Sequence, residues 1–158
     1  MKALIVYDSF FGNTEQVAQA VGKALGSPPD VEVLRVSAVK PEQLTGLQWL
    51  LVGSPTRGFR PSPATAAWLR AIPAHGLQGV KVAAFDTGIP LQQFPGFLRP
   101  LAKRFGYAAK QIAAALQKRG GALAAPPEGF FVKASEGPLE EGELERAAAW
   151  AKHFTAAG

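Results

Sequence analysis

The chain has no cysteine, which excludes disulfides, thiolate metal sites, iron–sulfur clusters and cysteine nucleophiles. Histidine is nearly as scarce: His75 and His153 are the only two, and neither belongs to a triad or a metal-ligand spacing. Acid is missing from one long stretch. Between Gly46 and Pro127, ten Lys and Arg face one carboxylate, Asp86, a local charge of +9; the remainder carries −4 and the whole chain +5. No apolar run approaches the ~18 residues of a membrane span, and Met1-Lys2-Ala3-Leu4-Ile5-Val6-Tyr7 has too short an apolar core for a secretion signal. These absences place the chain in the cytosol with no membrane partner. The basic excess invites an acidic partner, whether nucleic acid, an anionic surface or an acidic protein. There is no G-x-G-x-x-G turn for a nicotinamide dinucleotide. Gly22-Lys23 lies inside a helical pattern with no Ser or Thr after it, so it is not a nucleotide-binding loop.

What is present describes a packed chain. At 158 residues, 47% hydrophobic and 18% charged, it fits one domain over residues 1–158 rather than a disordered polymer. Four apolar runs read as buried strands: Ala3–Tyr7, Val31–Val36, Trp49–Val52 and Val80–Phe85. A fifth is split into Ala122–Ala125 and Phe130–Val132. Helical patterns lie between them. Thr14–Leu25 carries an apolar stripe closed by Gly26, and Pro41–Leu44 has room for one short turn. Ser62-Pro63 caps and opens Ala64–Ile72, and Phe97–Arg119 holds one or two helices ended by Gly120-Gly121. Pro138 is read as opening the last helix, with Glu140, Glu141 and Glu143 in its first turns. Strand alternating with helix predicts an α/β fold: a three-layer, doubly wound sandwich on a five-stranded parallel sheet of order 2-1-3-4-5. Ligands are then expected beyond the carboxyl ends of strands 1, 3 and 4. Response-regulator receivers share this order but need a carboxylate ending strand 3, where Gly53-Ser54 stands.

The segment after strand 1 is the most informative: Tyr7-Asp8-Ser9-Phe10-Phe11-Gly12-Asn13-Thr14-Glu15. A short polar loop running into a helix N-terminus offers unpaired N–H groups and the positive end of a dipole to a phosphate monoester. Ser9 and Thr14 add hydroxyls, Asn13 an amide, and Gly12 lets the backbone approach. Asn13 and Thr14 also suit plain helix capping.

Ser9-Phe10-Phe11-Gly12-Asn13-Thr14 resembles the phosphate-binding signature of flavodoxins. Gly53-Ser54-Pro55-Thr56-Arg57-Gly58-Phe59 resembles the second flavin loop of that family and of its quinone-reductase relatives. Phe85-Asp86-Thr87-Gly88 falls at the third loop, and Phe130 through Glu140 is similar to the family's C-terminal stretch. The resemblance implies a flavodoxin-like fold and non-covalently bound FMN. The phosphate would be held by Ser9, Phe10, Phe11, Gly12, Asn13 and Thr14. The isoalloxazine would lie between Pro55, Thr56, Arg57, Gly58 and Phe59 on one side and Asp86, Thr87, Gly88 and the stretch to Phe94 on the other. It further implies that the Arg57-Gly58 peptide turns its carbonyl toward flavin N5; a plain turn glycine is the other reading of Gly58.

The sequence departs from the family at three points. Phe11 stands where the phosphate loop usually has a threonine, and Arg57 where many members place an aromatic over the flavin. The usual stacking tyrosine has no clear counterpart, its region holding Gln92 and Phe94. Phe59 and Phe94 are candidate substitutes, or core anchors. A guanidinium beside the flavin would favour a negatively charged reduced cofactor and raise its potential. Three functions follow from the resemblance and the residues: an electron carrier between a reductase and an acceptor, an NAD(P)H-dependent quinone reductase, or a non-redox domain binding a phosphate-bearing or protein ligand. The basic stretch Arg99, Lys103, Arg104, Lys110, Lys118 and Arg119 lacks base-stacking aromatics, which disfavours nucleic acid. An acidic redox protein or an anionic small-molecule acceptor suits it better.

Overall fold

In a computed structural model, residues 2–157 are described. Strands β1 (Ala3–Tyr7), β2 (Val31–Arg35), β3 (Trp49–Pro55), β4 (Lys81–Gly88), β5 (Ala122–Leu123) and β6 (Glu128–Phe131) form one parallel sheet. The order is β2-β1-β3-β4-β5, with β6 also paired to β4. The split fifth run is thus two short strands: β5 continues beside Lys81 and Val82, and β6 beside Phe85 to Gly88. Helices α1 (Asn13–Leu25), α2 (Pro63–Ala71), α3 (Arg99–Phe105), α4 (Ala108–Lys118) and α5 (Glu143–Ala157) connect and close it.

Alternate residues of each central strand serve opposite faces, as the two-residue strand period requires. Leu4, Val6, Leu50, Val52, Val82 and Ala84 pack toward Leu69, Ile112 and Leu116 of α2 and α4. Ala3, Ile5, Leu51, Ala83 and Phe85 pack toward Val17, Val21, Ala147 and Ala151 of α1 and α5. Two layers of helix therefore cover both faces, which is why these strands read as unbroken apolar runs.

Two of the boundaries read from sequence are adjusted most, and a third stretch resolves into two helices as allowed. β3 and β4 run three residues beyond the last apolar position of their runs, to Pro55 and Gly88. Their polar ends keep pairing, Ser54 with Asp86 and Pro55 with Thr87. Pro138 does not open the last helix. Leu139 instead bridges Val132 in antiparallel fashion, and α5 starts at Glu143, whose carboxylate accepts the Phe131 N–H at 2.7 Å. The Phe97–Arg119 stretch breaks at Gly106 (φ +71) into α3 and α4. Ser62 caps α2 as expected, its hydroxyl accepting the Thr65 N–H at 3.3 Å.

Candidate functional site

β1, β3 and β4 end together at one edge of the sheet, where the crossover direction reverses. The loop after β1 turns at Gly12 (φ +90) straight into α1. Ser9 Oγ accepts the Gly12 N–H at 3.0 Å and holds the loop closed. Among the described residues, no protein acceptor takes the N–H groups of Phe10, Phe11, Asn13, Thr14 or Glu15. Such a row of open donors at the positive end of a helix is an anion receptor. Thr14 Oγ1 lies 2.7 Å from Thr87 Oγ1 in the interior, so the pair shares one hydrogen and keeps the other for a ligand.

Behind the loop stands a residue the sequence did not advertise. Arg35, the last residue of β2, donates to the Ser9 carbonyl at 2.9 Å and to Asp8 Oδ1 at 3.3 Å. It also approaches Glu15 at 3.7 Å, with its guanidinium 5.2 Å from the Tyr7 ring centroid. Its signal was present only as a basic residue closing a strand. The partners come from the end of β1, the loop after it and α1, so only the fold supplies them.

A cleft of about 320 Å³ opens beside the loop. Ser9, Phe10, Phe11, Asn13 and Thr14 line it from the first loop. Pro55, Thr56, Arg57, Gly58 and Phe59 line it from the second, and Thr87 and Gly88 from the third. Two expected residues stay out of its wall. Gly12 shapes the turn rather than the surface. Asp86 lies beneath the cleft, 1% exposed, where Oδ2 accepts the Ala109 N–H at 2.9 Å while Oδ1 finds no partner. Burial pushes its carboxyl up to about 7, against the pull of that N–H and with help from nearby Glu128. Asp86 sits on the β4 face that packs α4, whereas Thr87 faces α1, so adjacent strand residues are sent to different places. Asn13 is only partly available, since its Nδ2 donates to the Glu136 carbonyl at 3.1 Å.

Tyr107, Phe94, Ile89, Leu98, Val132 and Ser135 complete the wall. Of these, Ile89 and Phe94 fall in the expected stretch, and the other four do not. Tyr107 immediately precedes α4 and provides no side-chain cap. That helix is capped from the sheet instead, by Thr56 Oγ1 accepting the Ala108 N–H at 3.0 Å and by Asp86. Tyr107 is thereby fixed over Gly88, where a Cβ would approach its ring to 3.1 Å, with its hydroxyl donating to the Ile89 carbonyl at 2.6 Å. Phe94 meets Tyr107 edge-on at 6.4 Å and stacks on Phe59 at 5.8 Å. Arg57 places its guanidinium 5.0 and 5.2 Å from the Phe10 and Phe11 ring centroids, bridging the first two loops.

Open phosphate donors beside an apolar slot, at the switch point of a 2-1-3-4-5 sheet, define a mononucleotide-binding protein of the doubly wound class. The family model described as flavodoxin matches residues 5–150, and the chain belongs to the flavodoxin family, whose members bind FMN and transfer electrons. Among solved structures, flavodoxin 1 of Bacillus cereus has 19% identity and a TM-score of 0.77, covering 99% of this chain and 98% of its own. Flavodoxin 2 of the same organism has 23% identity and a TM-score of 0.75 over the full length of both chains. Rubredoxin oxygen:oxidoreductase of Desulfovibrio gigas has 22% identity and a TM-score of 0.72, covering 99% of this chain but 35% of its own. No curated protein sequence matches the chain. The residues present fit FMN: the free N–H groups suit a dianionic phosphate, and the apolar lining that Tyr107, Phe94 and Val132 give the cleft suits a flat ring system.

Proposed function

We propose that this chain is a single-domain, cytosolic FMN-dependent electron carrier, taking electrons from a reductase and passing them to an acceptor. The observation that carries the reading is the row of open N–H donors from Phe10 to Glu15 leading into the apolar cleft. FMN supplies the chemistry, because its ring system exchanges electrons singly or in pairs. The chain's own residues bind and orient it. The Ser9–Thr14 loop holds the phosphate, with Arg35 stiffening the loop from behind. Pro55 to Phe59 and Thr87-Gly88 form the walls, and Phe94 and Tyr107 keep water from one side. The acceptor is an acidic redox protein or an anionic small molecule, matching the basic stretch that builds the second and third loops. Nucleic acid is not part of this reading.

Anaerobic titration with FMN and with riboflavin tests it. FMN is expected to bind, with flavin fluorescence quenched, and riboflavin to bind roughly 100-fold or more weakly because it leaves the phosphate donors unpaired. NADPH added alone should leave the yellow colour unchanged on the timescale in which an added reductase bleaches it. Rapid bleaching by NADPH alone would identify a reductase instead, and a protein that FMN does not tint would end both redox readings.

Arg57 lines the cleft, and no ion pair engages it among the described residues. Its positive charge should favour the more negative, reduced cofactor. Arg57→Ala is therefore expected to lower the two-electron midpoint potential by about 30 mV, the equivalent of ~1.4 kcal/mol. An unchanged potential in a redox titration would remove this role.

A further inference from the structure

Arg57, Gly58, Phe59 and Arg60 make a two-residue hairpin beside the cleft. The Arg57 N–H donates to the Arg60 carbonyl at 2.9 Å, and the Arg60 N–H to the Arg57 carbonyl at 3.0 Å. Gly58 at φ +54 and Phe59 at φ +64 are the signature of a type I′ turn. Residues that exchange both hydrogen bonds are directly opposed, and their side chains leave the ribbon on the same face. Here both are exposed arginines, and no ion pair engages either among the described residues.

That arrangement is held against two opposing effects. Like charges directly opposed repel, and a bulky residue in the left-handed region is strained. The hairpin persists because its surroundings fix it: the Phe59 ring stacks on Phe94, and the Phe59 carbonyl accepts from Gln111 Nε2. The Arg57 guanidinium also lies over the rings of Phe10 and Phe11, residues that are 49% and 48% exposed. Paired arginines bordering exposed aromatic rings have the composition of a protein docking surface rather than of a solvated one. Planar guanidiniums match carboxylates in bidentate fashion, which names the complementary chemistry.

We propose that the Arg57–Arg60 hairpin, with the exposed rings of Phe10 and Phe11, is the docking face for an acidic redox protein, two of whose carboxylates seat on the two guanidiniums. The proposal rests on the electron-carrier reading and locates where the partner meets the cleft. It assigns the partner's sign of charge, its contact point and the relief of the arginine repulsion to one event.

The test uses two haem proteins of opposite charge, acidic cytochrome b5 and basic cytochrome c, as probes. Each FMN-loaded, dithionite-reduced protein delivers two electrons to two ferric haems, which become ferrous, and its protons pass to solvent. With cytochrome b5 the rate should fall roughly tenfold between ~20 and ~200 mM salt. Arg60→Glu, at a position outside the cleft wall, should slow cytochrome b5 roughly tenfold at low salt and accelerate cytochrome c. FMN affinity is measured beside it, so a cofactor effect is separated from a docking effect. In parallel, cytochrome b5 added to isotope-labelled protein should shift the amide resonances of residues 57–60 and of Phe10 and Phe11. Equal rates for Arg60→Glu and the parent with both probes, or shifts confined to other surfaces, would overturn the proposal. Arg60-dependent binding to phosphatidylserine vesicles without binding of cytochrome b5 would also overturn it, in favour of lipid. If FMN fails to bind, the carrier reading falls, and the resonance map of cytochrome b5 still decides the docking face.

Discussion

Gly53→Ala is expected to cost roughly 3 kcal/mol or more of stability, at the upper end of overpacking substitutions. A Cβ at this position would lie 2.1, 2.2 and 2.6 Å from three ring carbons of Phe85. The two residues are register partners on β3 and β4, so the ring lies flat over the glycine. It has nowhere to go: Phe85 is fully buried and held edge-on by Phe130 at 6.3 Å and Trp150 at 6.0 Å. Urea denaturation reads the loss, and pairing Gly53→Ala with Phe85→Leu should recover part of it, with a coupling energy above about 1 kcal/mol. The same position bears on function, because the Gly53 carbonyl accepts the Asp8 N–H at 3.1 Å and so ties β3 to the first loop. FMN affinity should fall with stability. A Gly53→Ala protein as stable as the parent would show that the ring yields, and the packing account would be wrong.

Asp86 should make stability fall as pH rises toward neutrality and beyond. Its carboxyl titrates at about 7 in the folded chain, against the ordinary 3.8, chiefly because it is buried. The folded protein therefore holds a proton that the unfolded chain has released. The resulting stabilisation is complete below about pH 3.8 and disappears as pH passes through 7. A difference of about three pH units at 1.36 kcal/mol each amounts to roughly 4 kcal/mol between those limits. Asp86→Asn keeps an oxygen for the Ala109 N–H and cannot ionise. Its denaturation midpoint should vary little between pH 5 and 8 beyond the slope contributed by groups common to both proteins, so it gains on the parent as pH rises from about 3.8 to 7 and holds that gain above 7. Parallel profiles for the two proteins would refute the assignment. The consequence reaches the site, since Asp86 and Thr56 together cap α4 and set Tyr107 against the cleft.

Both predictions concern residues whose importance is spatial, and that marks the limit of what the chain shows unaided. The open N–H groups of the first loop were legible because their cause is local. Small and polar residues between a strand and a helix leave N–H groups open wherever that turn occurs, so Ser9 to Thr14 announce themselves. The second loop was legible in position but not in form. Nothing in Arg57-Gly58-Phe59-Arg60 requires Phe59 to adopt a left-handed conformation; that depends on Phe94 and Gln111, 35 and 52 residues away. Asp86 was read as a cofactor contact because Phe85-Asp86-Thr87-Gly88 falls at the third loop of the family it resembles. Strand alternation sends its carboxylate to the opposite face, under α4. Tyr107 carried no signal, because its place is set by a helix capped from β3 and β4 rather than by its own neighbours.

The sequence by itself determined the class of fold, the strand order, the open loop between β1 and α1 and the net charge of the stretch that follows Gly46. Those properties follow from hydrophobic periodicity, from one local turn and from a count of charges, none of which needs distant partners. Only the tertiary structure decided that Arg57 and Arg60 stand directly opposed, that Arg35 braces the first loop, and that the Asp86 carboxylate is buried beneath α4. Each depends on residues far apart in the chain being brought within a few ångströms, where burial and charge act on them together.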